Sequence, residues 1–251
     1  MITSEAADNP WPPGPARPSL GPGDLHVWVA SLTPTSDVCL ERSAWCLSEY
    51  EQSEAVSRRS IVDRRLYIGA HVFMRDVLAR YLGCRPGAVQ LISEPGEKPG
   101  LLSSRTPLSF NLAHSGSLAL LAIAMGSQVG VDVERIREEG EWLLIAEQLF
   151  SLQERADLAG LPEAQRLPAF FSCWTCKEAL VKATGLGMKI ELNRFSVQVG
   201  PQVSAPSVTE PAGSSHGLSG YALRIFSPAP GYTAAVAVEG SPRQPVLWSW
   251  L

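Results

Sequence analysis

Residues 108–136 read LSFNLAHSGSLALLAIAMGSQVGVDVERI, and this stretch decides the fold. Apolar and polar residues alternate from Leu108 to Leu112, the period of a half-buried strand. Leu118 to Met125 is a continuous apolar run, the pattern of a strand buried on both faces. Between them His114-Ser115-Gly116-Ser117 carries turn chemistry, so the two runs are expected to form an antiparallel pair. After a short Gly126-Ser127-Gln128 break, Val129 to Ile136 is expected as a further strand.

Outward from this stretch, helices and strands mix on both sides. Upstream, residues 25–30 (LHVWVA) have strand composition, and residues 49–82 read as helical, with Gly83 as the stop. Downstream, Trp142 to Leu149 is expected as a helix. Ser151-Leu152-Gln153-Glu154 is a capping box opening a short helix that ends near Gly160. Pro168 is expected to start a helix running through Thr184, closed by Gly185. Strands are expected at 191–199, 221–226 and 232–238, with a Ser/Pro/Gly-rich loop over 201–220. The class is α+β, in two similar-sized halves of residues 24–128 and 129–251. Residues 1–23, rich in proline and glycine, are expected as a flexible tail.

Composition narrows the function. The chain is 45% hydrophobic and 18% charged, enough apolar material for a core, which excludes global disorder. A net charge of −4 argues against nucleic-acid binding through bulk positive charge. Leu118–Met125, the longest apolar run, falls far short of the ~20 residues a bilayer requires, so no membrane span is expected. Glu5 and Asp8, with no basic residue before Arg17, do not read as a signal peptide. Five cysteines, an odd number, read as reduced thiols in a cytoplasmic protein.

Four clusters could carry chemistry. In Gly130-Val131-Asp132-Val133-Glu134, Asp132 and Glu134 share one strand face about 7 Å apart, a spacing that suits a hard cation such as Mg²⁺. Alone, the plainer reading is a solvated acidic face. In Trp174-Thr175-Cys176-Lys177-Glu178-Ala179-Leu180-Val181-Lys182, Glu178 and Lys182 share one helical face. Phe170, Phe171, Trp174 and Val181 make that helix largely buried, so these charges need an ionic partner to offset desolvation. His114, beside Ser115 and Gly116, can donate to a phosphate or simply cap a turn. Gly96-Glu97-Lys98-Pro99-Gly100 is a turn presenting one lysine. Cys173 and Cys176 form a CxxC, but they lie inside a helix rather than at its N-terminus, which argues against redox use.

Taken in order, these motifs resemble the surfactin-synthetase-activating type of 4′-phosphopantetheinyl transferase. That family shows a GKP-like turn, an N-x-S-H-S-G-like turn, G-[IV]-D-[IV]-E, W-x-x-K-E-[AS] and K-x-x-G. Here they correspond to Gly96-Glu97-Lys98-Pro99, Asn111-Leu112-Ala113-His114-Ser115-Gly116, Gly130 to Glu134, Trp174 to Ala179, and Lys182-Ala183-Thr184-Gly185. Phe150-Ser151 with Glu154 resembles a further family signature. The resemblance implies a monomeric pseudo-dimer of two α+β halves with antiparallel sheets and coenzyme A in the cleft between them. It implies Mg²⁺ on Asp132, Glu134 and Glu178, with Glu178 and Lys182 as the catalytic pair. Coenzyme A would meet Lys98, Pro99, Asn111, His114, Ser115 and Lys182, with His114 at the 3′-phosphate and Lys182 at the pyrophosphate. The implied reaction transfers phosphopantetheine from coenzyme A to a serine of an apo acyl, polyketide or peptidyl carrier protein, releasing 3′,5′-ADP. The alternative is a non-catalytic protein that binds coenzyme A or docks carriers. Two departures stand out. Glu97 is inserted in the GKP turn, and Leu66 stands where a phosphate-binding Arg is usual, so Arg65, one residue away, is the expected coenzyme A contact in its place.

Overall fold

Strand alternation sorts the core into layers. The computed structural model describes residues 11–32, 44–92, 98–102, 107–200, 203–212, 214, 216–241 and 244–250. Its elements are β1 (Leu25–Ser31), α1 (Glu49–Ser57), α2 (Ile61–Leu82), β2 (Leu91–Ile92), β3 (Gly100–Leu101), β4 (Leu108–Ser115), β5 (Leu118–Met125), β6 (Val129–Arg135), α3 (Trp142–Leu149), α4 (Leu152–Gly160), α5 (Glu163–Thr184), β7 (Ser196–Val197), β8 (Val208–Thr209), β9 (Tyr221–Phe226), β10 (Tyr232–Glu239) and β11 (Val246–Ser249). One sheet has the order β11-β1-β5-β4 and another the order β6-β10-β9. Val27, Val29, Leu120 and Ala122 from the first sheet meet Val131, Val133, Ala234 and Val236 from the second in a shared cluster. The residues between them point the other way. Trp28, Ala30, Leu121 and Ile123 pack on α2, and Ala235 and Ala237 pack on α5. Each sheet is therefore covered on its outer face by a 22-residue helix. This is the mixed α+β arrangement with antiparallel sheets that the sequence led us to expect, apart from β11, which runs parallel to β1. Among the described residues no helix is long and apolar enough to cross a membrane.

Local signals explain most boundaries. Gly83 and Gly185 close α2 and α5 in the left-handed conformation, at φ 65° and 69°. Ser151 and Glu154 form the expected capping box. Five expectations need correction. The helix at 49–82 is two helices, broken where Arg58 turns extended and Ser60 caps α2 by accepting from Asp63 N. The hairpin turn is tighter than expected. His114 and Ser115 belong to β4, leaving Gly116, at φ 54°, and Ser117 as the turn. The helix assigned to a Pro168 start begins earlier, after Pro162, and Pro168 lies within it. The strand expected at 191–199 shrinks to Ser196–Val197, because Lys177 Nζ draws the carbonyls of Leu192 and Phe195 towards itself at 2.6 and 2.8 Å. The expected flexible tail is tied down from Trp11, which packs in the core beside Phe226. Pro12 O and Gly14 N bond Ser249 of β11, itself a strand the sequence reading did not assign. Gly96 and Glu97 lie outside the described residues.

Candidate active site

The site forms where β6 meets α5, and a glycine allows it. A Cβ on Gly130 would lie 2.1 Å from Ala179 O and 2.4 Å from Ala183 N. Only glycine lets the α5 backbone rest on β6, on the same face as Asp132 and Glu134. Glu178 and Lys182 each immediately precede one of those two alanines, so the contact brings them to the strand's carboxylates.

Asp132 is buried, and its Oδ1 accepts from Lys182 Nζ at 2.6 Å. Its Oδ2 is buried with no partner. Burial pushes the Asp132 carboxyl up to about 7; Lys182 opposes this, and Glu134 and Glu178 add to it. Burial also raises Glu178, again opposed by Lys182 and reinforced by Glu134. Glu134 Oε2 accepts from Ser115 Oγ at 2.8 Å. Among the described residues, no three His, Cys, Asp or Glu side chains are gathered closely enough to coordinate a metal. The donor set nevertheless suits a divalent cation. It has a buried orphan carboxylate oxygen and two further carboxylates within electrostatic reach, with only one lysine to neutralise them.

A second cluster surrounds His114. Arg58, Tyr67, His71, Pro99, Asn111 and His114 line a cavity of about 240 Å³. Partial desolvation lowers the His114 imidazole, and His71, Arg58 and Lys182 lower it further. A cluster of positive groups around an open pocket is suited to an anion. His71 is held from behind by Glu51, which also takes the buried Arg75. The tautomer of His71 is set by that contact. Lys98 Nζ donates to Val129 O at 2.6 Å, and burial lowers its ammonium to about 8. Lys98 and Pro99 also face a neighbouring cavity of about 330 Å³ reaching Gly185.

The sequence reading is matched unevenly. Asp132, Glu134, Glu178 and Lys182 converge. His114 and Pro99 share a cavity wall. Arg65 is not on that wall; Arg58 is, at the break that splits the expected helix. Asn111, expected at the cofactor, lines that cavity too, and both it and Ser115 accept from backbone amides of β6. His71 was not anticipated, and Arg58 was not expected at the cofactor. The one available signal was that Tyr67, His71 and Arg75 recur at helical spacing.

Comparison with known proteins decides the family. A chain from Nostoc sp. (strain PCC 7120), the 4′-phosphopantetheinyl transferase HetI, is 33% identical over 243 residues, covering 96% of this chain and 98% of the relative. The chain belongs to the 4′-phosphopantetheinyl transferase superfamily. The pattern of that superfamily matches residues 128–233, the part that holds β6 and α5. The psf-1 transferase of Bacillus pumilus is 30% identical and covers 70% of this chain and 75% of its own. A looser likeness, at 17% identity and a TM-score of 0.36, is to Thermotoga maritima holo-[acyl-carrier-protein] synthase, covering 46% of this chain and 64% of that one. As a member of the transferase family this chain is an enzyme. Cys173 and Cys176 are buried, and burial raises both thiols above their ordinary value.

Also within α5, Lys177 is fully buried and pairs with Glu154 Oε1 at 2.9 Å. The same Glu154 caps α4 and accepts from Val197 N. This pair ties the transferase's α4 and β7 to α5 one residue before Glu178.

Proposed function

We propose that this transferase moves 4′-phosphopantetheine from coenzyme A to a serine of an apo carrier protein, depends on Mg²⁺ and releases 3′,5′-ADP. The observation that carries the proposal is the buried, unpartnered Asp132 Oδ2 beside Glu134, Glu178 and Lys182. Asp132, Glu134 and Glu178 would hold Mg²⁺. When bound, the ion neutralises charge developing on the pyrophosphate.

The chain's own groups account for the remaining steps. The carrier serine oxygen attacks the β-phosphorus of coenzyme A, and the bond from that phosphorus to the leaving phosphate of 3′,5′-ADP breaks. Glu178 takes the serine proton. Lys182 donates to the pyrophosphate and so leaves Asp132 when substrate binds. His114, with Arg58 nearby, receives the 3′-phosphate, and Lys98 and Pro99 border the nucleotide. The two helix-covered sheets would form the pseudo-dimer, with coenzyme A lying between them. We expect the enzyme to act as a cytoplasmic monomer.

The test is incubation with coenzyme A, Mg²⁺ and a panel of apo acyl, polyketide and peptidyl carriers, read by intact mass. One added phosphopantetheine, lost with EDTA and restored by Mg²⁺, is the expected result. No added mass on any carrier would refute the proposal.

A further inference from the structure

The two sheets meet along edge strands that do not pair with each other as a ladder. β4 is the last strand of its sheet and β6 the first of the other. An edge strand leaves amides and carbonyls in need of partners. Here side chains supply them. Asn111 Oδ1 accepts from Val131 N at 2.8 Å, and Ser115 Oγ accepts from Arg135 N at 3.1 Å. Lys98 Nζ caps Val129 O farther along the same edge. Asn111 and Ser115 are four residues apart on β4, as are Val131 and Arg135 on β6. The strands therefore run in step, and both pins lie on one side of each. The two carboxylate positions, Asp132 and Glu134, fall between the pins. The Ser115 hydroxyl has one proton, and it goes to Glu134 Oε2 at 2.8 Å while the oxygen receives the Arg135 amide. Its one proton and one of its two acceptor positions are thus used inside the protein.

We infer that Asn111 and Ser115 are positioning residues. They pin β6 at both ends of its acidic segment and fix the direction of Glu134, so that the strand presents its carboxylates to a divalent cation. This rests on the proposed metal-dependent transfer and differs from the expectation that the two residues touch coenzyme A. Rotation of β6 about its own axis would swing Asp132 and Glu134 together. An edge strand bonded to only one neighbour resists such rotation weakly unless its free side is also tied.

The experiment measures Mn²⁺ binding to the coenzyme A-saturated protein from the free-ion EPR signal, and separately coenzyme A binding by calorimetry without metal. A hydrogen bond to a charged group corresponds to roughly 10- to 150-fold in affinity. Ser115→Ala should therefore weaken Mn²⁺ binding by at least about tenfold and leave coenzyme A binding unchanged. Ser115→Thr, which keeps the hydroxyl, should restore the metal. Asn111→Ala, which removes the acceptor for Val131 N, should weaken Mn²⁺ binding several-fold. Should Ser115→Ala fail to fold, Asn111→Ala still decides, since loss of either pin frees the same strand. Wild-type Mn²⁺ affinity in the folded variants, or a coenzyme A defect in Ser115→Ala, overturns the inference. Absence of Mn²⁺ binding in the wild type would instead refute the metal assignment on which it rests.

Discussion

Replacing Gly130 with alanine should separate fold from function along one short contact. The new methyl carbon would sit 2.1 Å from Ala179 O, 2.4 Å from Ala183 N and 2.9 Å from Ala183 Cα. Ordinary contact begins near 3.4 Å, so α5 must retreat from β6 by about 1.3 Å. The obstacle is helix backbone, which cannot rotate away as a side chain can, so the cost belongs at the upper end of overpacking, about 3 kcal/mol. In a chain of this size that corresponds to a fall in Tm of roughly 10 °C. The displacement also moves Glu178 and Lys182 away from Asp132, and about 1 Å of misplacement costs on the order of 100-fold in rate. Thermal unfolding and carrier modification read by intact mass would measure the two effects on one preparation. Gly160→Ala is the control, since a Cβ there meets nothing within 4 Å. A Gly130→Ala protein with wild-type Tm and rate would show that α5 does not rest on β6 as described.

Three further outcomes are expected. Burial raises Asp132 to about 7, so the folded metal-free chain favours the protonated acid; the stability this confers is complete below the unfolded value near pH 4 and is lost as pH rises through 7. Asp132→Asn should flatten that decline in urea midpoints taken from pH 5 to 8 and abolish transfer; an unchanged decline would place the titrating group elsewhere. If His114 donates to the 3′-phosphate, wild type should prefer coenzyme A over its 3′-dephospho form by on the order of 10- to 150-fold, and His114→Ala should bind the two almost equally; a retained preference in calorimetry would make the imidazole structural. The Cys173→Ala/Cys176→Ala double variant should transfer at nearly the wild-type rate, because both thiols are buried and held protonated; loss of activity in a folded double variant would show a role for sulfur that packing does not explain.

The parts of the fold legible in the sequence were those governed by local rules. Alternation placed β4, a continuous apolar run placed β5, and capping residues placed α4 and the ends of α2 and α5. Errors arose where a distant partner overrode local preference. Leu192 and Phe195 lie in a stretch with strand composition, but the buried Lys177 ammonium takes their carbonyls and removes them from any ladder. From Trp11 to Gly23 the proline-rich segment has no helix or strand of its own, yet Trp11 packs beside Phe226 and holds the segment on the sheet. β11 reads as a short terminal run, and β1, which makes it a strand, lies more than 200 residues away.

The site divides in the same way, and the division explains why its acidic half was readable and its cationic half was not. Asp132 and Glu134 are legible because a strand puts alternate residues on one face, and Glu178 and Lys182 because a helix aligns residues four apart. What joins the pairs is also written in the sequence, though it is unreadable without the fold. Gly130 falls opposite Ala179 and Ala183, and the three small residues act as one steric contact. The anion-facing cluster has no such shared element. Arg58 lies at a helix break, His71 on α2, His114 on β4 and Lys182 on α5, and only packing of the two sheets brings them within electrostatic reach. The expected Arg65 was read as the neighbour of Leu66, where the family has an Arg. It lies on α2 and off the cavity wall, whereas Arg58, at the break before α2, lines it.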